Sequence, residues 1–284
     1  MNDLFVSDFT GTITTIKEQR ELLTEAVKWF QQQEDQAEAL QAVAKERGLS
    51  VEVLRQHNCF FINEQLTLIF IPEKYQDETL GLVRNNYIVY SGRFVYPVKD
   101  PTGLVMGLCG WDPYVQPKYL DSKNFGYKAK HNTMYGMEKL YDYYKSDKPV
   151  IIVEGIVDCL LLRDNGFQAL AALGSMLTAY IVTILSRFKD RCIVIPDNDN
   201  YKGDAEDRTA GEGFVKQVFW RLPDVKVYQT TTAKDLDDVV RSSELSRLNL
   251  LEDLRNIDNM FYEFKELRQR VKPSRKKVNY GKFI

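Results

Sequence analysis

From residue 17 to 36 apolar side chains recur at helical spacing (Leu22, Leu23, Ala26, Val27 and Phe30), which predicts an amphipathic helix with one buried stripe. A second helix is predicted over residues 35–47, stopped by Gly48, and Ser50 reads as the N-cap of a third over residues 51–57. From Phe60 the pattern shortens into β-rich runs: QLTLIFI at 65–71, YIVYS at 87–91, RFVYPV at 93–98 and LVMGLCGW at 104–111. Asp100-Pro101-Thr102-Gly103 is turn chemistry, and it predicts a hairpin joining the last two runs. Residues 1–145 therefore read as one α+β unit.

A different rhythm begins at Pro149. Short apolar strands at 150–153, 169–173, 192–195 and 226–229 alternate with helical segments at 156–163, 178–188 and 211–222, the pattern of a parallel sheet covered by helices on its faces. The fold class expected is α/β: a parallel-sheet domain over 146–241 behind a smaller α+β subdomain, followed over 242–284 by a helix and a basic tail. The last helix, 244–270, carries Leu250, Leu254, Ile257, Phe261 and Phe264 at alternating spacings of four and three, a stripe suited to docking against its own domain.

Chemistry gathers at the strand ends. In an open parallel sheet, ligands bind beyond the carboxyl ends of the strands, where loops and helix N-termini converge. Strand 150–153 runs into Glu154-Gly155-Ile156-Val157-Asp158, strand 192–195 into Pro196-Asp197-Asn198-Asp199, and the fourth strand leads to Lys234-Asp235-Leu236-Asp237-Asp238. A tight turn at Gly155 would let Glu154 and Asp158 face one pocket, and the alternation in Asp197-Asn198-Asp199 points both carboxylates the same way in extended chain. Carboxylates crowded in this way repel one another, and protonation or bound cations relieve the repulsion. Oxygen donors without Cys or His favour Mg²⁺ or Mn²⁺, and two such ions suit an in-line phosphoryl displacement. Solvated caps and turns are the plain alternative for such acids, but capping does not call for doublets on successive strand ends.

Composition refines the picture. The chain has 284 residues, 44% hydrophobic and 27% charged, enough to bury a real core. A net charge of -2 looks unsuited to nucleic acid, yet basic residues collect at 118–130 and 265–282 while the acids concentrate between 154 and 238. Lys118 and Lys130, with Tyr119, Phe125 and Tyr127 between them, form a candidate single-strand track, cations for phosphates and rings for bases. Cys59, Cys109, Cys159 and Cys192 stand far apart and lack zinc-ligand spacing with one another or with His57 and His131, so buried reduced thiols and no zinc are expected. No apolar run approaches a membrane span and no secretory signal opens the chain, which predicts a cytoplasmic protein without membrane contact.

EGIVD, the DND doublet and KDLDD resemble the acidic motifs of the TOPRIM domain. Upstream, QPKYLDS at 116–122, KAKHNTMYGM at 128–137, RFVYPVKDPTGLVMGLCGW at 93–111 and AALGSMLT at 171–178 resemble, in order, segments of the bacterial replicative primases of the DnaG family. The likeness covers residues 92–240, and more loosely the helical opening with ERGLS. It implies RNA primer synthesis on single-stranded DNA by metal-dependent nucleotidyl transfer. By the same resemblance Glu154 is the essential acid at or beside the metal, Asp197, Asp199, Asp235 and Asp237 are ligands, and Asp158 supports them. Lys118, Tyr119, Lys130, Lys234 and, more weakly, Arg93 would face template or nucleotide. The implied partners are single-stranded DNA, ribonucleoside triphosphates, a replicative helicase and a separate zinc-ribbon protein, as for a phage or mobile-element enzyme reduced to its polymerase core. Residues 200–208 insert between the acidic doublet and Gly211 where the family has almost nothing. A TOPRIM nuclease and a non-catalytic replication initiation factor remain as alternative functions.

Overall fold

The computed structural model describes residues 4–122, 132–173, 178–197, 225–228 and 233–255, with backbone alone for 4–15 and 189–190. The expected helix at 211–222, the continuation of the last helix past 255, and Asp199, Lys130, Phe125 and Tyr127 lie outside the described residues.

The opening is helical. Helix α1 (Leu4–Gln31) buries Leu23, Ala26, Val27 and Phe30, the predicted stripe, and α2 (Gln36–Arg47) ends at Gly48 in a left-handed conformation. The Ser50 hydroxyl accepts the backbone N–H of Val53 and so caps α3 (Val51–Gln56), as its sequence position predicts. Residues 65–71 are not a strand. Leu68–Phe70 form a 3-10 turn with Ile69 and Phe70 exposed (84% and 69%), because the Gln76 amide donates to the carbonyls of Leu68 and Ile71 and closes the segment on itself. The 87–91 run is likewise shorter than predicted: β2 (Val83–Arg84) and β3 (Tyr87–Ile88) form a small hairpin, turned by Asn85 and Asn86 at positive φ.

The first sheet has the order β1-β4-β5-β6 and is antiparallel, with β1 (Phe60–Phe61), β4 (Phe94–Lys99), β5 (Val105–Trp111) and β6 (Tyr119–Asp121). The predicted Asp100–Gly103 turn joins β4 to β5: Gly103 N–H donates to the Asp100 carbonyl, and the Asp100 carboxylate accepts from Thr102 N–H. In β5, Gly110 leaves room for its neighbours, since a Cβ there would come within 2.5 Å of Tyr90 and 3.1 Å of Arg93.

Helix α4 (Leu140–Tyr144) leads into a second, all-parallel sheet of order β10-β9-β7-β8: β7 (Val150–Val153), β8 (Gln168–Ala171), β9 (Cys192–Val194) and β10 (Lys226–Val227). Helices α5 (Ile156–Asp164) and α6 (Ala179–Leu185) connect its first three strands, and α7 (Leu236–Ser242) and α8 (Glu244–Arg255) follow the fourth. The chain passes from β7 to β8 on one side and returns to β9 on the other. The switch point of the sheet therefore lies between the carboxyl ends of β7 and β9. One apolar cluster contains Leu40, Leu54, Tyr96 and Trp111 together with Ile151, Leu161, Ile193 and Val240, so the antiparallel and parallel sheets share core. All four cysteines are buried free thiols, and no described helix is long and apolar enough to cross a membrane.

Arg163, at the end of α5, ties the two parts through polar contacts. Its guanidinium donates to Glu138 (2.9 Å), to the carbonyls of Gly136 (2.9 Å) and Ala169 (3.0 Å), and to His57 Nε2 at 3.2 Å. A ring nitrogen that accepts from an arginine must be unprotonated, and burial, followed by the Arg163 charge, lowers the His57 pKa from 6.5 to about 2. The unfolded chain takes up this proton near its ordinary pKa while the folded chain refuses it, so the contribution to stability is complete above pH 6.5 and is lost as pH falls towards about 2. His57→Gln keeps a neutral acceptor for Arg163; its urea-unfolding free energy should fall less steeply than the wild type's between pH 6.5 and about 4, and parallel curves would contradict the buried neutral ring.

Candidate metal and nucleic-acid site

The acids predicted at the strand ends meet. Glu154, Asp158, Asp197, Asp235 and Asp237 all line one cleft of about 600 Å³ at the carboxyl ends of the parallel strands, and Lys118, Tyr119 and Lys234 line it with them. Glu154 follows β7 directly and Asp197 lies three residues beyond β9, across the switch point; the backbone N–H of Asp197 donates to Glu154 Oε1 at 3.2 Å. Asp158 sits in the first turn of α5, where its Oδ2 would come within 2.6 Å of a Cβ on Gly155, so the glycine permits the carboxylate to fold back over the turn.

Asp235 caps α7 by accepting Asp238 N–H at 2.8 Å, and the Asp158 Oδ1 accepts the Asp237 N–H at 3.0 Å. Helices α5 and α7 are thereby locked together at their N-terminal ends, with the positive ends of both backbones at the acids. Oxygens of Asp235, Asp237 and Asp238 lie within 4.8 Å of one another. The crowding shows in the titration. Burial, then the charges of Asp235 and Asp197, push the buried Asp158 carboxyl well above the ordinary range; burial also raises Asp237, against the opposing pull of Arg47 and Arg241.

Sequence reasoning missed Arg47, the last residue of α2. It is 4% exposed, has its guanidinium over the Trp111 ring at 4.1 Å from the centroid, and donates to Asp237 Oδ2 at 2.7 Å across 190 positions of chain. Arg241 reaches the same oxygen at 3.2 Å and Asp238 at 2.8 Å. Nothing in the local pattern marks Arg47, since an arginine in the last turn of a helix is ordinary. The other Asp237 oxygen, Oδ1, is buried without a partner among the described residues. A buried carboxylate oxygen without a partner among the described residues, beside further acids, fits a divalent cation held by hard oxygen ligands.

The opposite wall is the edge strand β6. Lys118 and Tyr119 are exposed here, and the Tyr119 hydroxyl lies 3.5 Å from Arg47 Nη2; burial pushes the phenol up to about 12, partly offset by Arg47. Lys234 Nζ is 3.7 Å from Asp197 Oδ2. Arg93 differs from the expectation. It is only 6% exposed and donates to the carbonyls of Pro117 (3.1 Å) and Lys118 (3.3 Å), so it props the chain that presents Lys118 and Tyr119 and offers no free charge to a ligand.

A carboxylate-lined cleft at the switch point of a parallel sheet, walled by an edge strand beside a cation and an aromatic ring, defines an α/β protein whose hard oxygen donors suit cations. No model of a known protein family matches the chain. In sequence it is similar to the DNA primase of Pasteurella multocida strain Pm70 (27% identical over 194 residues, 63% of this chain and 33% of that protein) and to that of Clostridium acetobutylicum (28% over 236 residues, 77% and 38%). The chain thus spans between a third and two fifths of the length of these curated relatives. In structure it matches a DnaG catalytic core (TM-score 0.68, 22% identical, 89% of this chain and 85% of that one) and a DnaG primase catalytic domain bound to single-stranded DNA (TM-score 0.62, 24% identical, 84% and 82%). The chain is a relative of the DnaG-type bacterial primases and has the fold of their catalytic core.

A carboxyl whose folded pKa is raised stabilises the fold least when ionised: its favourable contribution is present below the ordinary value of 3.8 and is lost as pH rises through the folded value. Asp158→Asn keeps the acceptor for Asp237 N–H and removes the charge. Its thermal midpoint should match the wild type near pH 3.8 and exceed it at neutral pH, by about 2–4 °C for each kcal/mol of repulsion relieved. Added Mg²⁺ should raise the wild-type midpoint more than that of Asp158→Asn; equal midpoints at neutral pH would contradict the crowding described here.

Proposed function

We propose that the chain is the catalytic core of a DNA primase, joining ribonucleoside triphosphates into short RNA primers on single-stranded DNA. The observation that carries the reading is the meeting of acids from three separate segments in one cleft, opposite the wall that bears Lys118 and Tyr119. A division near residue 145 into a primase-core subdomain and a TOPRIM domain, with the C-terminal helix behind them, belongs to the same proposal and is supported by the two separate sheets.

Glu154, Asp197, Asp235 and Asp237 would hold Mg²⁺ or Mn²⁺, with Asp199 joining them by its motif. Such ions lower the pKa of an attacking 3′-hydroxyl and offset the charge that builds on the α-phosphate and on the departing pyrophosphate. The chain's own groups do the rest. Asp158 fixes the backbone of Asp237, and Arg47 and Arg241 clamp one Asp237 oxygen while the other has no partner among the described residues. Lys118 offers a cation to a phosphate, Tyr119 a ring to a base, and Lys234 a second cation beside Asp197. Lys130 belongs to the same basic track by sequence. A replicative helicase and a separate zinc-ribbon protein are the partners proposed for choosing where priming starts.

Incubation with single-stranded DNA, labelled ribonucleoside triphosphates and Mg²⁺ or Mn²⁺, with a companion helicase or zinc-ribbon protein supplied, should give short oligoribonucleotides. Glu154→Gln should reduce this by about 100-fold or more, in line with loss of an essential electrostatic group, while leaving the thermal midpoint unreduced. Absence of primers under all these conditions would defeat the proposal, and shortened DNA in their place would redirect the site to nuclease chemistry.

A further inference from the structure

Beside Trp111, away from the residues of the acidic cleft, the chain carries a second feature. Two adjoining hollows of about 400 and 440 Å³ share Asp35, Phe61 and Asn63 and run between α2 and the antiparallel sheet. Their floor is apolar, formed by Phe61, Phe94 and Trp111 in one hollow and by Phe30, Leu66 and Phe70 in the other. Tyr114, at 92% exposure, and Phe70, at 69%, stand at the two ends as uncovered rings. Trp111 is itself buried, and its indole N–H has no acceptor among the described residues.

The rim decides what can lie there. Glu38, Ala42 and Glu46 follow one another at intervals of four on α2, so small side chains open the wall between two exposed carboxylates. Glu34 and Asp112 add to this charge, and among the described residues no lysine or arginine lines either hollow. Such a rim repels phosphate, and the groove therefore does not continue the nucleic-acid track. An apolar floor bounded by one sign of charge selects a ligand with apolar side chains set between cations. We propose that this groove docks a segment of a partner protein in which lysine or arginine alternates with large apolar residues. The apolar side chains cover the floor and the cations pair with Glu38 and Glu46.

The inference does not depend on the primase reading, and its test contains no nucleotide or DNA. The probes are a synthetic peptide alternating lysine with leucine and phenylalanine, and its counterpart with glutamate in place of lysine, each titrated onto the full chain by fluorescence anisotropy. Glu38→Lys combined with Glu46→Lys reverses the rim, and Ala42→Trp, at an exposed position, fills the groove without disturbing the core. The lysine peptide should bind at least about tenfold more tightly than the glutamate peptide, and each variant should weaken it by about tenfold. Hydrogen-exchange protection by the lysine peptide should fall on residues 35–46 and 111–114. Undiminished binding to both variants, or protection confined to the acidic cleft at 235–238, would overturn the proposal.

Discussion

Negative charge concentrated at the carboxyl end of a parallel sheet is the constraint around which this molecule is arranged. Burial and the neighbouring charges of Asp235 and Asp197 raise the cost of ionising Asp158, and burial raises that of Asp237. The buried compensation is Arg47, delivered from the helical opening and held over Trp111 of the antiparallel sheet, with the more exposed Arg241 at the same oxygen. A single guanidinium thus joins the first helices, the first sheet and the last acidic motif. Its desolvation is acceptable only because the Asp237 carboxylate and the aromatic face receive it in a fixed geometry.

The same economy governs the rest of the site. Asp158 spends one oxygen on the backbone of Asp237, Asp235 spends one on capping α7, and Glu154 receives the backbone of Asp197. Glu154 and Asp158 are each held by a backbone N–H from another of the acidic segments, and Asp235 by one from its own. Arg93 plays the corresponding part on the opposite wall, where two carbonyls rather than a ligand take its charge and the edge strand with Lys118 and Tyr119 is held in place.

The two hollows beyond Trp111 have the opposite character to the cleft, apolar within and acidic at the rim. One indole forms part of the wall on that side and carries Arg47 on its ring. Cys109 and Trp111, two residues apart and so on one face of β5, line the cleft and the hollow respectively.

The sequence by itself determined a great deal. The period of its apolar residues set the helical opening, and the alternation of short strands and helices after Pro149 set the parallel sheet; the acid doublets after apolar runs located the site, because strand ends in such sheets converge. Local patterns failed where a segment had to choose among tertiary partners. Residues 65–71 have strand composition, yet Gln76 closes them into a turn. Arg93 looks like a free cation and is spent on carbonyls, while Arg47 looks like an ordinary helix end and becomes the counter-charge of Asp237. Each of these depends on which groups lie nearby once the chain is packed, and contacts spanning 190 residues leave no trace in the spacing of neighbours.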